Sequence, residues 1–340
     1  MKPGFSYIYT ILIVQPNMLY PLKFEPIYKE RIWGGDKLHY RYDRICPDDR
    51  PIGESWEISG LEGDVSVVSN GNLAGNELNE LIEVYMGELV GDRVYNRFGE
   101  EFPLLVKLLD TKDLLSIQVH PDDPLAAQRH NAYGKTEMWV VMEAEPDAFF
   151  YLGFNKEVSE TEFLARLGNH TLPEIMNKIT PKTGEAYFIP AGTVHSIGAG
   201  LVITEIQQTS DITYRIYDWD RKDAQGNGRE LHTELALDAL DFNRDTDLRI
   251  QYTAEKNRSM PVKSSPQFTV NVIELDGKME RDYLNLDSFV IYQCLEGEVI
   301  VECEGGAESL IDAETVMIPA EFESVKLSGK GRLLEIYMPQ

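Results

Sequence analysis

The chain is poor in cysteine, poor in cations and has no long apolar run. Three cysteines in 340 residues, Cys46, Cys294 and Cys303, cannot build a disulfide framework, and a sparse, odd count suits a reducing compartment. No stretch approaches the roughly 18 apolar residues that a membrane helix needs, so no membrane partner is expected. Only 32 Lys and Arg stand against 57 Asp and Glu, a net charge of −25. A field of that sign repels phosphate backbones and argues against a nucleic-acid partner. An anionic small substrate would need a local cluster of cations. No histidine follows His232, which excludes a His-based metal site from the last 108 residues. No nicotinamide fingerprint, Walker motif or Gly-rich phosphate loop occurs, so no organic cofactor is called for.

What is present is an ordinary globular composition, 43% apolar and 26% charged, in a length that suits about two domains. Tyr7–Val14 is a short apolar run that ends at Gln15-Pro16-Asn17 without a small-residue cleavage site. Residues 1–17 therefore read as an N-terminal extension before Met18, and the expected location is cytoplasmic. The pattern beyond is mostly β. Strands are predicted over Glu54–Ser59 and Asp64–Ser69, over Pro103–Asp110 and Leu114–His120 joined by a polar turn, and as a pair over Glu137–Glu143 and Ala148–Leu152. Ala186–Pro190, Leu201–Gln208 and Ile212–Asp218 follow. Helical spacing marks Glu77–Phe98, broken at Gly87 and Gly91, then Ser159–Leu167 with Ser159 as its cap, and Leu231–Leu240. A polar linker is expected over Asn243–Lys263. Five further strands follow, at Phe268–Leu275, Ser288–Leu295, Glu298–Glu302, Thr315–Ile318 and Leu333–Tyr337. Many short strands with regular turns suggest a sandwich or jelly roll.

Four segments could carry chemistry. From Leu115 the strand alternates, so Leu115, Ile117 and Val119 point one way and Ser116, Gln118 and His120 the other. Taken alone, it reads equally well as a solvent-facing strand. Lys135 and Glu137 share a face and alone would be a surface ion pair. In Gly184-Glu-Ala-Tyr-Phe-Ile-Pro190-Ala-Gly192-Thr-Val-His195 the spacing of Gly, Pro, Gly and His matches the second motif of the cupin superfamily. There a Pro-Gly turn between strands aims the histidine into a barrel. His120, Glu137 and His195 together make a ligand set for zinc with positions left open, and Gln118 could add a neutral oxygen. Manganese, iron(II) or cobalt would fit as well. Lastly, Thr209-Ser210-Asp211 reads as the turn of an antiparallel hairpin that brings Glu205 opposite Arg215, as a structural pair or as a base facing a clamp.

These segments, in order, resemble the type I mannose-6-phosphate isomerase family in its shorter bacterial form. The resemblance rests on Tyr20-Pro-Leu-Lys-Phe-Glu-Pro, Arg31-Ile-Trp-Gly-Gly35, Ile52-Gly-Glu-Ser-Trp-Glu57, Leu115–Asp122, Lys135–Trp139, Ile189–His195 and Tyr214–Arg221. It covers Met18–Glu234 closely and the remainder more loosely. It implies a mainly β fold of two cupin, jelly-roll-like domains with a few inserted helices. The expected division is an extension over 1–17, a metal-binding catalytic domain over 18–245 and a degenerate cupin-like domain over 246–340. It implies one zinc ion on Gln118, His120, Glu137 and His195, an invariant arginine at Arg215, and active-site carboxylates at Glu205 and Asp211. Lys135 falls on the active-site lysine, and Lys107 and Ser116 fall on positions that hold a phosphate. Gln118 in place of the usual first His of a cupin is this family's own habit, whereas Ala199 stands where Asn is frequent. The implied reaction interconverts mannose 6-phosphate and fructose 6-phosphate through a cis-enediol, with Glu205 as the first choice of base and Lys135 the second. A metal-dependent cupin enzyme of another class and a non-catalytic phosphosugar-binding paralogue are the alternatives. His39, His130, His170 and His232 are expected at the surface or at helix caps. Trp33, Trp56 and Trp139 are expected in core or pocket wall, and Cys294 and Cys303 as buried thiols.

Overall fold

The computed structural model of the chain describes residues 18–42, 44, 50–222, 225–243 and 247–340. The apolar run at Tyr7–Val14 and Cys46 lie outside them. The first part of the chain lays down β1 (Ile27–Gly35), β2 (Ile52–Ile58), β3 (Leu104–Thr111), β4 (Ile117–Val119), β5 (Glu137–Ala144) and β6 (Phe150–Phe154). There follow β7 (Met176–Ile179), β8 (Ala186–Ile189), β9 (His195–Ile197), β10 (Leu201–Gln208), β11 (Tyr214–Tyr217) and β12 (Arg249–Ile250). They form two antiparallel sheets, ordered β1-β2-β3-β10-β5-β8-β12 and β11-β4-β9-β6-β7. Between the sheets pack Trp33, Leu109, Trp139, Val141 and Ile203 of the first and Phe150, Leu152 and Ile197 of the second. This is a jelly-roll sandwich, mainly β as its sequence implies.

The connections differ from the simplest reading of the turns. Three expected strand pairs are crossovers. The turn after β3 carries the chain from the large sheet to β4 in the small one, Glu145-Pro146-Asp147 carries β5 to β6, and Thr209-Ser210-Asp211 carries β10 to β11. A tight turn brings strands close without deciding whether they pair or face, and burying apolar surface on both sheets favours facing. Asp64–Ser69 forms only isolated bridges at Val67 and Val68. The expected linker holds paired strands instead, and since β12 pairs with β8, the first sheet extends past residue 245.

The last part forms β13 (Ser259–Ser264), β14 (Thr269–Asp282), β15 (Val290–Cys303), β16 (Gly306–Ile311), β17 (Thr315–Ile318) and β18 (Ser324–Tyr337). They make one six-stranded antiparallel sheet. β15 joins two segments that the sequence pattern separates, because Glu296 and Gly297 continue the ladder through a bulge opposite Arg332 and Gly331.

The large sheet is buried on both faces. Leu104, Val106, Met138, Val140 and Ile206 point away from the sandwich into a core shared with Val270, Val272, Phe289, Tyr292 and Ile336 of the last sheet. Helices Leu78–Tyr85, Gly87–Val90 and Asp92–Phe98 close the same core. Met86 and Gly91 break them, and Gly91 is obligatory: at φ +95°, a Cβ would meet the Asp287 backbone at 2.6 Å. The outer face of the small sheet is covered by helices Glu160–Gly168 and Thr233–Ala239, through Phe163 and Ala236 against Ile117, Val119 and Ile216. Ser159 caps the first of these, its Oγ accepting from the Glu162 N–H at 3.1 Å. Cys294 and Cys303 are buried free thiols.

Phe102, just before β3, meets Phe289, just before β15, at a ring separation of 4.7 Å, and both are fully buried. Phe289→Ala is therefore expected to cost about 3–5 kcal/mol of unfolding free energy. Urea denaturation checks this, and a loss below about 1 kcal/mol would mean that the two parts do not share one cooperative core.

Candidate active site

Period-two alternation in doubly buried strands sends every second residue into the sandwich. On the large sheet this selects Glu54 and Trp56 of β2, Lys107 of β3, Glu205 of β10, and Glu137 and Trp139 of β5. Register aligns them, with Trp56 beside Lys107, Lys107 beside Glu205, and Glu205 beside Trp139. On the small sheet Gln118 of β4 pairs with Arg215 of β11 on one side and His195 of β9 on the other. Two rows of functional side chains thus line the inside of one sandwich. The Gly192 turn helps to lock the second row, its N–H donating to the His120 carbonyl at 2.9 Å.

His120, Glu137 and His195 converge. One ligand atom from each lies within 4.8 Å of the others, and all three residues are buried. His120 Nε2 is 3.3 Å from Glu137 Oε1, and His195 Nε2 is 3.9 Å from Oε2. Their other ring nitrogens settle the tautomers. His120 Nδ1–H donates to the Ile212 carbonyl at 2.8 Å, and His195 Nδ1–H to that of Thr193 at 2.9 Å. Both Nε2 lone pairs are left facing Glu137, and among the described residues His120 Nε2 is buried with no hydrogen-bond partner. Burial, with Lys135 nearby, holds the His120 pKa well below its usual value, and burial lowers that of His195. Burial alone would raise Glu137, but Lys135, His120 and His195 outweigh it and hold its pKa below the carboxylate range. Two neutral imidazoles and one carboxylate are what a divalent transition ion binds. The Gln118 side-chain amide lies 3.2 Å from His195 Nε2, so its carbonyl oxygen can turn to the same point.

Above this cluster is a cavity of about 460 Å³ lined by Lys107, Ser116, Gln118, Lys135, Glu137, Glu205, Asp211 and Arg215. Of the residues singled out by sequence, only the two histidines sit behind its surface. Lys135 Nζ is 3.1 Å from Glu137 Oε1, and with both side chains buried the pair is not the surface contact that its spacing alone suggests. Lys107 Nζ is 2.8 Å from Glu205 Oε1, also buried. Burial and Glu137 raise the Glu205 pKa. Burial would lower Lys107, but Glu205, Glu54 and Glu137 together raise it. Glu205 and Arg215 do not form a hairpin pair. They belong to opposing sheets, and Arg215 Nη1 donates to the Glu230 carbonyl at 2.9 Å. Asp211 is exposed, at the mouth of the cavity.

The same cavity includes residues to which sequence reasoning gave no role. Glu54 accepts from Trp56 Nε1 and Arg31 Nε, each at 2.7 Å. Burial opposes its ionisation, yet Lys107 and Arg31 hold its pKa down at about 2. Its alternation with Trp56 along β2 was a usable signal. Lys29, Arg31 and Arg229 also line the cavity, and Arg229 lies in a loop whose sequence has no periodicity to read. Trp33, Trp56 and Trp139 form wall. His39, His130 and His170 are exposed, and His232 precedes a helix, its Nδ1 accepting from the Arg215 N–H at 3.1 Å.

The profile described as "Phosphomannose isomerase type I, catalytic domain" matches residues 21–146, and "Mannose-6-phosphate isomerase, cupin domain" matches 259–338. The mannose-6-phosphate isomerase of Streptococcus mutans is 34% identical over 313 residues, 92% of this chain and 96% of that protein. Mannose-6-phosphate isomerase ManA of Bacillus subtilis is 40% identical over 225 residues, 65% of this chain and 68% of that protein. The crystal structure of the mannose 6-phosphate isomerase from Bacillus subtilis superposes with a TM-score of 0.83 at 32% identity, covering 93% of this chain and 99% of that one.

Chelator-stripped protein is expected to take up one divalent transition ion per chain, measured by elemental analysis after gel filtration. Glu137→Gln and His195→Ala are expected not to retain it. Full retention by both variants would remove this cluster as the binding site.

Proposed function

We propose a reaction for this chain from the premise that it belongs to the type I phosphomannose isomerase family. It is an isomerase, and we infer that it interconverts mannose 6-phosphate and fructose 6-phosphate through a cis-enediol. The observation that carries the reading is the convergence of His120, Glu137 and His195, with both Nε2 atoms turned toward Glu137 and that of His120 unpartnered, on the floor of the cavity that also holds the Lys107–Glu205 pair.

We assign Gln118, His120, Glu137 and His195 as the ligands of one divalent ion, with zinc first. A divalent ion held by these residues would supply Lewis acidity to the substrate. Glu205 removes the proton from C2 of the aldose and returns it to C1 of the ketose. Burial raises its proton affinity, which suits a base, while Lys107 at 2.8 Å keeps it ionised before it acts. Lys135 is the second candidate base. If Glu205 moves the carbon-bound proton, the Lys135 ammonium is placed to pass the hydroxyl proton between the two substrate oxygens. Arg215 gives fixed positive charge where negative charge develops on those oxygens. Lys107, Ser116 and Asp211 bind the phosphosugar, and Trp33, Trp56 and Trp139 exclude water from one side. The proposed setting is cytoplasmic, on the two unpaired buried thiols. In the proposed division the first part of the chain does the chemistry, and the His-free last part covers the outer face of its large sheet.

The test is a coupled assay from mannose 6-phosphate to fructose 6-phosphate on chelated and zinc-restored protein. Activity should vanish on chelation and return with the ion. Glu205→Gln should lower kcat by about 10²- to 10⁴-fold with little change in KM. Full activity in Glu205→Gln with loss in Lys135→Met would move the base to Lys135. No turnover by folded, zinc-loaded protein would reject the substrate.

A further inference from the structure

Charge is distributed unevenly in the cavity. Toward its floor each cation has a carboxylate: Lys107 has Glu205 at 2.8 Å, Lys135 has Glu137 at 3.1 Å, and Arg31 has Glu54 at 2.7 Å. These cations are matched one to one by carboxylates, and near Lys107 a substrate dianion would also face Glu54 and Glu205.

On the wall that carries Arg215 and Arg229 the balance reverses. Asp218, a buried carboxylate, serves two guanidinium groups. Arg229 donates from Nε to Oδ2 at 2.7 Å and from Nη2 to Oδ1, and Arg221 donates from Nη2 to Oδ1 at 2.5 Å. Exposed Asp113 lies 3.8 Å from Arg221. Among the described residues Arg215 has no carboxylate within ion-pair distance, and its Nε is buried without a hydrogen-bond partner. Two guanidinium groups thus share one buried carboxylate, the third is close enough to feel all three charges, and two of the three, Arg215 and Arg229, line the cavity.

The loop that holds them is fastened at a cost. Trp219 and Asp220 both sit in the left-handed region, at φ 57° and 55°, where a bulky side chain is strained. Two bonds hold the turn there. Trp219 Nε1–H donates to the Leu115 carbonyl at 2.7 Å, and Arg221 Nη1–H to that of Leu114 at 2.5 Å. The arginine wall is thereby tied to the strand that carries Ser116, Gln118 and His120.

We propose that Arg229, oriented by Asp218 and working with Arg215, receives the phosphoryl end of the substrate, and that Asp218 is a positioning residue. The assignment rests on the phosphosugar reading above, and it turns Lys107 and Ser116 toward the sugar. A planar guanidinium fixed at two of its donors by a carboxylate presents its remaining donors in one geometry, which suits a phosphoryl group.

The experiment measures inorganic phosphate binding by calorimetry, together with KM and kcat for mannose 6-phosphate, on zinc-loaded full-length protein. Arg229→Gln should weaken phosphate binding and raise KM, each by about tenfold or more, with kcat within about threefold. Asp218→Asn, which keeps the arginine charge but loses its orientation, should raise KM by a smaller factor. Arg249→Gln, at an exposed pair with Glu185 on the far edge of the sheet, should change nothing. If Arg229→Gln fails to fold, Arg229→Lys replaces it, and a raised KM supports the site. Wild-type phosphate affinity in the folded Arg229 variant, or a fall in kcat with KM unchanged, overturns the proposal. If the wild type binds phosphate through Arg229 yet does not turn over mannose 6-phosphate, the anion site stands and the substrate reading falls. If the wild type is active and Arg229→Gln is indistinguishable from it, the reaction stands and the anion site falls.

Discussion

The constraint on which this structure depends is the burial of its large sheet on both faces. A strand buried on one face can send every polar residue to water. β3, β5 and β10 have no such face, because one side meets the last sheet and the other looks into the sandwich. Lys107, Glu137 and Glu205 therefore enter the interior of the sandwich, where Lys107 pairs with Glu205 and Lys135 with Glu137. Register makes this possible by setting Lys107 directly beside Glu205 on the neighbouring strand. The buried pair is costly to desolvate and weak as a source of stability. Burial and Glu137 raise the proton affinity of Glu205, and Lys107 opposes them.

The same constraint gives the C-terminal part of the chain a physical task. Without it, Leu104, Val106, Val140 and Ile206 would lie in water on the back of the large sheet. Its own interior is closed around Glu335, which accepts from Arg281 Nε at 2.6 Å, Ser259 Oγ at 2.6 Å and Asn271 Nδ2 at 2.8 Å. With Tyr283 bonded to the same carboxylate, Glu335 is satisfied by the protein itself. The first sandwich leaves His120 Nε2 unpaired.

Much of the site could be read from local pattern. Alternation from Leu115 to His120 put Ser116, Gln118 and His120 on one face, the Pro-Gly turn announced His195, and the Lys135–Glu137 spacing placed both groups on one side of a strand. Hidden from local pattern was which strands pair. Thr209-Ser210-Asp211 reads as a hairpin, but here it changes sheets, so Glu205 meets Lys107 and Arg215 meets Gln118 through backbone partners 98 and 97 positions away. Glu54 could have been found from its alternation with Trp56, whereas Arg229 could not, since its loop has no period.

The sequence by itself determined the predominance of β structure, the confinement of histidine chemistry to the first two thirds of the chain and the identity of the groups that could bind a metal. Those properties follow from side-chain chemistry and from the two-residue period of a strand, both local. Only the tertiary structure decided which buried charge neutralises which, how the imidazole tautomers are fixed, and where the cavity keeps positive charge in excess. Those depend on distances across the sandwich, and at close range in a medium that screens poorly a shift of a few ångströms decides whether two charges form a pair.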